Sequence, residues 1–542
     1  MRRGTKRWTL VALASAALAA CYSGGPLDPP PSKTSTSLVS ARRLRRLSNR
    51  EYDNVVRDLL GDTSRSAQKF VVDSYQNGFD NGSAGLAVQS DQVVDYQSAA
   101  EALAANAVTN GMARLVGGCD VMAQGEDACV EAFLATTASR AWRRPLTTSE
   151  LARLRVMYQL DAPSKGFARG VQTMLEVVLQ SPQFLYREEL GPRDVVSKSG
   201  ASVRMTDHEI ASELSFLLAG SIPDDELWSA VANGTFTTVD DYRREATRLL
   251  GTPGAKDALR AFLHQWLATN RTLTLSKDVA FYPTFDAAMA ASMSAELDRF
   301  YDDALFAGDG SLRRLFTSNQ SFANETLGKL YGVPVTGADL QPVTLDPALR
   351  KGVMTRAGFL AVHSATDSSG PIARGVFVLE TIMCSPPPRP PPNVPPAPPA
   401  SDPGVKTLTT RERFDRHVAN SFCAACHKQI DGVGFGFEQF DGIGAFRSTE
   451  NGQVVDSSGA LVGTGEIDGA YVGVSQLADK LAGSRILADC FVRQAYRFAM
   501  GQIEPTGADL GALGSAFSAD ARLTDLLLAI VASPIFVNRT FE

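Results

Sequence analysis

Behind Ser48-Asn49-Arg50-Glu51 the chain places Tyr52, Val55, Val56, Leu59 and Leu60, an apolar stripe recurring every three or four residues. A Ser followed three residues later by Glu lets each side chain satisfy the other's backbone N–H, so the pattern predicts a capped helix with one buried face. The same start recurs at Thr147 to Glu150, Thr206 to Glu209 and Thr409 to Glu412, each ahead of apolar residues spaced by three and four. Runs of alternating β-branched residues are scarce, except around Asn451-Gly452 and Val454 to Val462, where a hairpin is expected. The fold class that follows is mainly α: a multi-domain helical protein with a minor β-hairpin.

Two stretches of the pattern resemble each other, Cys129 to Arg187 and Cys490 to Arg539. In the first, Ala141-Trp142-Arg143-Arg144 leads to Ser181-Pro182-Gln183-Phe184; in the second, Ala495-Tyr496-Arg497-Phe498 leads to Ser533-Pro534-Ile535-Phe536. An apolar helix, Val171 to Leu179 or Leu523 to Val531, precedes each Ser-Pro, and the proline explains why each stops. The chain is expected to contain a repeated helical hairpin with a structural role.

Composition adds bounds. With 542 residues, 44% of them hydrophobic, roughly three or four packed units are expected. A net charge of -6 gives no overall basic field, so no affinity for nucleic acid is expected. At the N-terminus, Arg2, Arg3, Lys6 and Arg7 precede a short apolar run from Leu10 to Ala20, the form of a signal peptide. Leu18-Ala19-Ala20-Cys21 resembles the processing site of bacterial lipoproteins. That resemblance implies acylation of Cys21 and a membrane partner engaged through a lipid anchor; a plain cleaved signal is the alternative.

Export changes the reading of the remaining cysteines, because oxidising compartments pair thiols. The seven cysteines include Cys21 and the two of Cys423-Ala424-Ala425-Cys426-His427, which leaves Cys119, Cys129, Cys384 and Cys490. Three connectivities are open to four cysteines. Cys119–Cys129 and Cys384–Cys490 are the pairs expected, with free buried thiols as the alternative.

Cys-x-x-Cys-His would arise by chance in roughly one chain in a thousand of this composition. Two thiols about one helical turn apart can bond the vinyl groups of one haem, and the adjacent imidazole then meets the iron. The expected cofactor is therefore one covalent haem c, held by Cys423 and Cys426 with His427 as the proximal iron ligand. Ile430, Val433, Phe435, Phe437, Phe440, Ile443 and Phe446 supply apolar surface for a haem pocket, and Arg447 is a candidate propionate partner. A zinc site would want a fourth ligand, and a thioredoxin-like pair would want a βαβ setting; a bare Cys423–Cys426 disulfide is the third alternative. For the distal iron position the candidates are His363, Met500 and His417. His363 is favoured because it follows the apolar run Phe359 to Val362; the alternatives are a hydrogen-bonded buried histidine for His363, core filler for Met500, and a propionate or backbone partner for His417. His208 and His264 read as ordinary helix residues.

These signals divide the chain into a signal peptide (1–21), a tether (22–38), an N-terminal helical domain (39–118), a helical hairpin unit (119–192) and a central helical domain (203–335). A helical segment (349–384), a proline-rich strap (385–407), a haem segment (408–465) and a C-terminal unit related to 129–187 (466–542) follow.

Several of these motifs together resemble the cytochrome c-associated multi-domain proteins of planctomycetes and myxobacteria. The resemblance is carried by Leu47 to Tyr52 with Arg57 to Gly61, Trp142 to Thr147, Ser181 to Arg187, Glu213 to Leu218 with Pro223 to Leu227, Arg374 to Leu379, Pro391 to Pro395, and Cys423 to Arg447. Gly432 departs from it, standing where the family has Pro after the Asp, and Ser369-Gly370-Pro371 replaces a more usual Thr-Ser-Pro. The resemblance implies a secreted c-type cytochrome fused to helical domains, with extracellular polysaccharide as a partner; it supplies no reaction. Electron transfer at the cell envelope with a redox partner protein is the expected function. The alternatives are a haem-dependent oxidoreductase or peroxidase acting on polysaccharide or peroxide, and a non-redox structural or binding lipoprotein. The expected location is the periplasmic face or the cell surface.

Overall fold

All four predicted capping boxes form. Ser48 Oγ accepts from Glu51 N–H at 3.2 Å while Glu51 accepts from Ser48 N–H at 3.0 Å, and Thr147–Glu150, Thr206–Glu209 and Thr409–Glu412 make the same reciprocal pairs. The computed structural model describes residues 38–192, 194–195, 200–388, 407–417, 421–505, 509–515 and 517–541, with backbone alone at 416, 417 and 421–426. The expected signal peptide, Cys21, the tether up to residue 37 and most of the proline-rich strap lie outside these residues. The molecule is mainly helical, with small antiparallel hairpins and no barrel. None of the described helices is long and apolar enough to cross a membrane.

The first capped helix, Asn49–Leu60, buries the stripe Tyr52, Val55, Val56, Leu59 and Leu60. It packs into a core with Ser90–Leu115, Thr148–Lys165 and Phe167–Gln180. A larger core joins the central helices Asp207–Ala219 and Pro253–Trp266 to Ile430, Val433, Phe437 and Phe440 and to the C-terminal helices Arg485–Met500 and Leu523–Val531. The haem segment therefore shares its interior with the units on either side of it in sequence. Burial of apolar surface, worth about 25 cal/mol per Å², locks these units together.

The expected hairpin forms: Asn451 and Gly452, both at positive φ (50° and 80°), turn Thr449–Glu450 onto Gln453–Val454. A second hairpin follows, Ser458–Leu461 against Gly469–Val472. Three further strand pairs join distant segments. Arg43–Arg46 pairs with Tyr186–Glu189, Ser202–Arg204 with Asn538–Thr540, and Gln320–Ala323 with Gln341–Thr344.

The repeat is visible in the backbone. Each unit runs from a first helix to the apolar helix Phe167–Gln180 or Leu523–Val531, with Thr148–Lys165 intervening in one and the single turn Gly511–Gly514 in the other, then through a Ser-Pro turn into a one-turn helix, Pro182–Leu185 or Pro534–Val537, and out along a strand. The first helices end in the same left-handed conformation, at Arg143 (φ 58°) and Gly501 (φ 57°). That corrects the expected correspondence of Ala141-Trp142-Arg143-Arg144 with Ala495-Tyr496-Arg497-Phe498, because the second helix continues to Met500 before it turns. Both predicted disulfides are present, Cys119–Cys129 and Cys384–Cys490, with Cα separations of 5.4 and 5.3 Å. Each ties the first helix of one repeat to the chain before it.

Where the exit strands meet, the interior is ionic. Glu189, fully buried, faces Arg45 at 3.0 Å, Arg539 at 2.6 Å and Arg43 at 3.1 Å, while Glu213 pairs with Arg45 and lies 3.6 Å from Arg187. Burial would raise the Glu189 carboxyl, but the guanidiniums of Arg43, Arg539 and Arg45 hold it well below the usual carboxylate range. Arg187 and Arg539 occupy equivalent places after the two Ser-Pro turns, so the repeats meet through this knot.

Candidate haem site

Cys423 to His427 lie in the first half of the helix Ser421–Gly434. Positions 423 and 426 are thus one helical turn apart, with 427 beside them, the backbone spacing that a haem bound by two thioethers and an imidazole requires. Beyond the motif, backbone seats this helix directly on its neighbours. A Cβ on Gly434 would strike the Pro371 carbonyl, and one on Gly375 the Ile430 carbonyl, so Pro371–Phe377 crosses the motif helix at close range. On another face a Cβ on Gly432 would lie 2.5 Å from the Ala460 carbonyl. Gly432, the departure from the family pattern, therefore admits the Ser458–Leu461 strand. Tyr471 donates to the carbonyls of Gly432 (2.9 Å) and Val433 (3.0 Å) near the helix end.

His427 is fixed from within its own helix. Its Nδ1 lies 3.1 Å from Oδ1 of Asp431, one turn on; the imidazole is 18% exposed and Asp431 is buried. Burial pushes the Asp431 carboxyl up, and the hydrogen bond with His427 draws it down, with burial the stronger. With the proton on Nδ1 directed at the carboxylate, Nε2 is the nitrogen that carries the lone pair, as an iron ligand requires. On this observation the residues fit a covalently held haem.

The loop after the helix is held by a chain of charges. Arg374, buried, donates to the carbonyls of Phe437, Phe440, Leu360 and Asp441 at 2.7 to 3.3 Å, and burial lowers it to about 10. Glu438, also buried and raised by that burial, accepts from Ser369 Oγ at 2.9 Å and from Arg447 at 2.8 Å. Arg447 continues to Glu450 at 2.7 Å, and Glu450 accepts from Thr410 N–H and Oγ1, both at 2.7 Å. The helix Thr410–His417, which leads into the motif, is thereby tied to the loop that leaves it.

Several sequence expectations are revised. Arg447, expected as a propionate partner, has Glu438 and Glu450 as its partners. Of the residues expected to line a haem pocket, Ile430, Val433, Phe437 and Phe440 belong to the main core, Ile443 to a smaller one, and Phe435 is buried beneath the Arg411 guanidinium; Phe446 is exposed. All but Phe446 belong to the protein's own interior. His363, the favoured distal ligand, is buried with Nε2 2.9 Å from the Leu267 carbonyl and its ring against Phe359 and Phe377. Phe377 lies about 200° of helical rotation from Gly375, which meets the motif helix, so His363 stands on the far side of that helix. Burial lowers its imidazole to about 3. It is the hydrogen-bonded core histidine that the sequence left as an alternative. Met500 is buried where its carbonyl accepts from Arg43 and Gly501 bonds to Ser83, surroundings built by the N-terminal region. The side chains of Cys423, Cys426 and His417 lie outside the described residues. His264 is held between Asp298 and Thr269, both at 2.8 Å, and His208 stands against Trp228.

Sequence reasoning passed over Asp431, although a His and an Asp at i and i+4 share one helix face. It also passed over the acceptors Glu438 and Glu450, whose partners come from other segments. A cleft of about 600 Å³, lined by Asn49, Asp53, Arg57, Asp62 and Asp257 among others, lies between the N-terminal helix Asn49–Leu60 with the loop after it and the central helix Pro253–Trp266.

Four family models match the chain in order: PSD3, a protein of unknown function (DUF1587), over residues 45–109; PSD5, of unknown function (DUF1595), over 129–189; PSD4, of unknown function (DUF1592), over 205–333; and PSCyt3, of unknown function (DUF1588), over 350–450. The last spans the motif, Arg374 and Arg447. By these matches the chain is similar, over four successive segments, to four domain families of unknown function. No curated protein and no solved structure matches it.

Proposed function

We propose that this protein is an exported c-type haem lipoprotein that transfers electrons at the cell envelope. The observation that carries the reading is Cys423-Ala424-Ala425-Cys426-His427 on a helix whose histidine is oriented through Nδ1 by Asp431. A covalently attached haem would supply a one-electron iron couple there; Cys423 and Cys426 would hold it and His427 would bind the iron. The two disulfides accord with an oxidising compartment, and Cys21 would tether the body to a membrane. Exposed Phe446, Val454, Val462 and Val472 all belong to the segment after the motif and give a redox partner protein apolar surface to contact.

The test is a potentiometric titration of protein matured in a host that assembles c-type cytochromes. Electron transfer predicts a reversible one-electron couple with low-spin bands in both states and no response to peroxide. A high-spin ferric spectrum that changes on adding peroxide would replace this reading with an oxidoreductase.

A further inference from the structure

We infer that Asp431 is the positioning residue of the haem iron's proximal side: through His427 it lends anionic character to the iron ligand and lowers the reduction potential. This rests on the proposed haem at Cys423 and Cys426, and it assigns a role to a residue outside the five-residue motif.

Residues four apart stand one above the other, so Asp431 falls beneath His427 without any loop to place it. The Nδ1–Oδ1 separation of 3.1 Å is within hydrogen-bond range. Three features hold the carboxylate there. It is buried at 6% exposure, on a helix fixed by the close backbone contacts of Gly375 and Gly434 with their neighbours. The Gly432 carbonyl, one residue on, is engaged by Tyr471. The cation on this side, Arg411, is drawn off by the Ser458 carbonyl at 2.7 Å and by Asp456 at 3.3 Å, and its guanidinium lies over Phe435.

A histidine whose second nitrogen meets a neutral carbonyl remains a neutral ligand. One whose N–H points at a carboxylate gains electron density at the other nitrogen, and outer-shell partners of this kind fix the tautomer and raise ligand basicity. A more basic ligand stabilises the ferric state over the ferrous one. Hydrogen bonding around the axial ligand is one of the means by which a protein sets haem potential, and a low local dielectric strengthens it.

The experiment uses the full chain matured with haem. Asp431→Asn and Asp431→Ala remove the charge, and Asp431→Glu keeps it. Each variant is read by haem stain on a denaturing gel and by the midpoint potential of its iron couple. Covalent haem in the wild type and the variants, with the potential raised in Asn and Ala by about 59 mV or more, a tenfold change in the one-electron equilibrium, and held nearer the wild type in Glu, supports the assignment. Should Asn not fold, Ala carries the same comparison. Potentials that match the wild type in haem-bearing Asn or Ala overturn the role of Asp431 while leaving the haem reading intact. A wild type without covalent haem overturns both.

Discussion

In the knot where the two repeats meet, Glu189 faces three guanidiniums and Glu213 pairs with Arg45 beside Arg187; the strands 43–46, 186–189 and 538–540 carry all of these residues except Glu213, which comes from the helix Asp207–Ala219. Beside the motif helix, Glu438 faces Arg447 and a serine, while Arg374 donates to four backbone carbonyls, three of them after that helix and one, Leu360, in the helix Ala357–Val362. The same residue types serve different ends. In the first region, charge joins segments hundreds of residues apart, so removing one partner leaves an uncompensated ion in the interior. In the second, charge and backbone hydrogen bonds fix the path of one loop around one helix, and the tertiary join is made by apolar core and glycine contacts.

The two disulfides sharpen that contrast most. Cys384–Cys490 closes 106 residues between the approach to the motif helix and the second repeat, whereas Cys119–Cys129 closes 10 at the start of the first repeat. On loop-closure entropy, Cys384→Ser with Cys490→Ser costs about 4–5 kcal/mol in urea unfolding, against about 3 kcal/mol for Cys119→Ser with Cys129→Ser. A larger loss from the short loop would contradict the picture.

Next come the two carboxylates. Glu189→Gln is expected to cost about 4 kcal/mol, because three arginines lose their partner charge. Glu438→Gln, which keeps a hydrogen-bond acceptor for Ser369, is expected to cost about 2 kcal/mol. Equal losses would remove the distinction between knot and loop.

The smallest effect per measured step, taken one pH unit at a time, is the dependence that His363 imposes. Its folded pKa of about 3 lies below the ordinary value of 6.5, so the unfolded chain binds the proton more readily. The resulting stability is complete above pH 6.5 and is lost as pH falls toward 3, on the order of 1 kcal/mol per pH unit. His363→Gln, measured by urea midpoints between pH 4 and 7, should show a flatter profile than the wild type. An unchanged slope would mean that the imidazole is not held neutral by the core.

Local signals were the legible part of this fold. Four Ser/Thr-to-Glu boxes read correctly because both partners sit in one helical turn, and the Asn451-Gly452 turn because positive φ has a known residue preference. Two boxes were passed over: Thr238 with Asp241, in which Asp replaces Glu, and Gln89 with Gln92, whose cap residue is neither Ser nor Thr. Illegible were pairings such as Arg43–Arg46 with Tyr186–Glu189, since no window of sequence spans them. The helix under Cys423 to His427 is legible for the same reason as the caps, the cysteine spacing being one helical turn. His363 misled because an apolar run followed by histidine describes a ligand and a core residue equally well. Its partner, the Leu267 carbonyl, is a backbone group on which sequence is silent.

The central claim is that Cys423 and Cys426 carry a haem. It is tested most directly by a haem stain of the denatured full-length protein beside its Cys423→Ser/Cys426→Ser variant, both made in a host with cytochrome c maturation. The account predicts a stained wild-type band and an unstained variant of similar abundance; an unstained wild type, or staining that survives the double substitution, would contradict it.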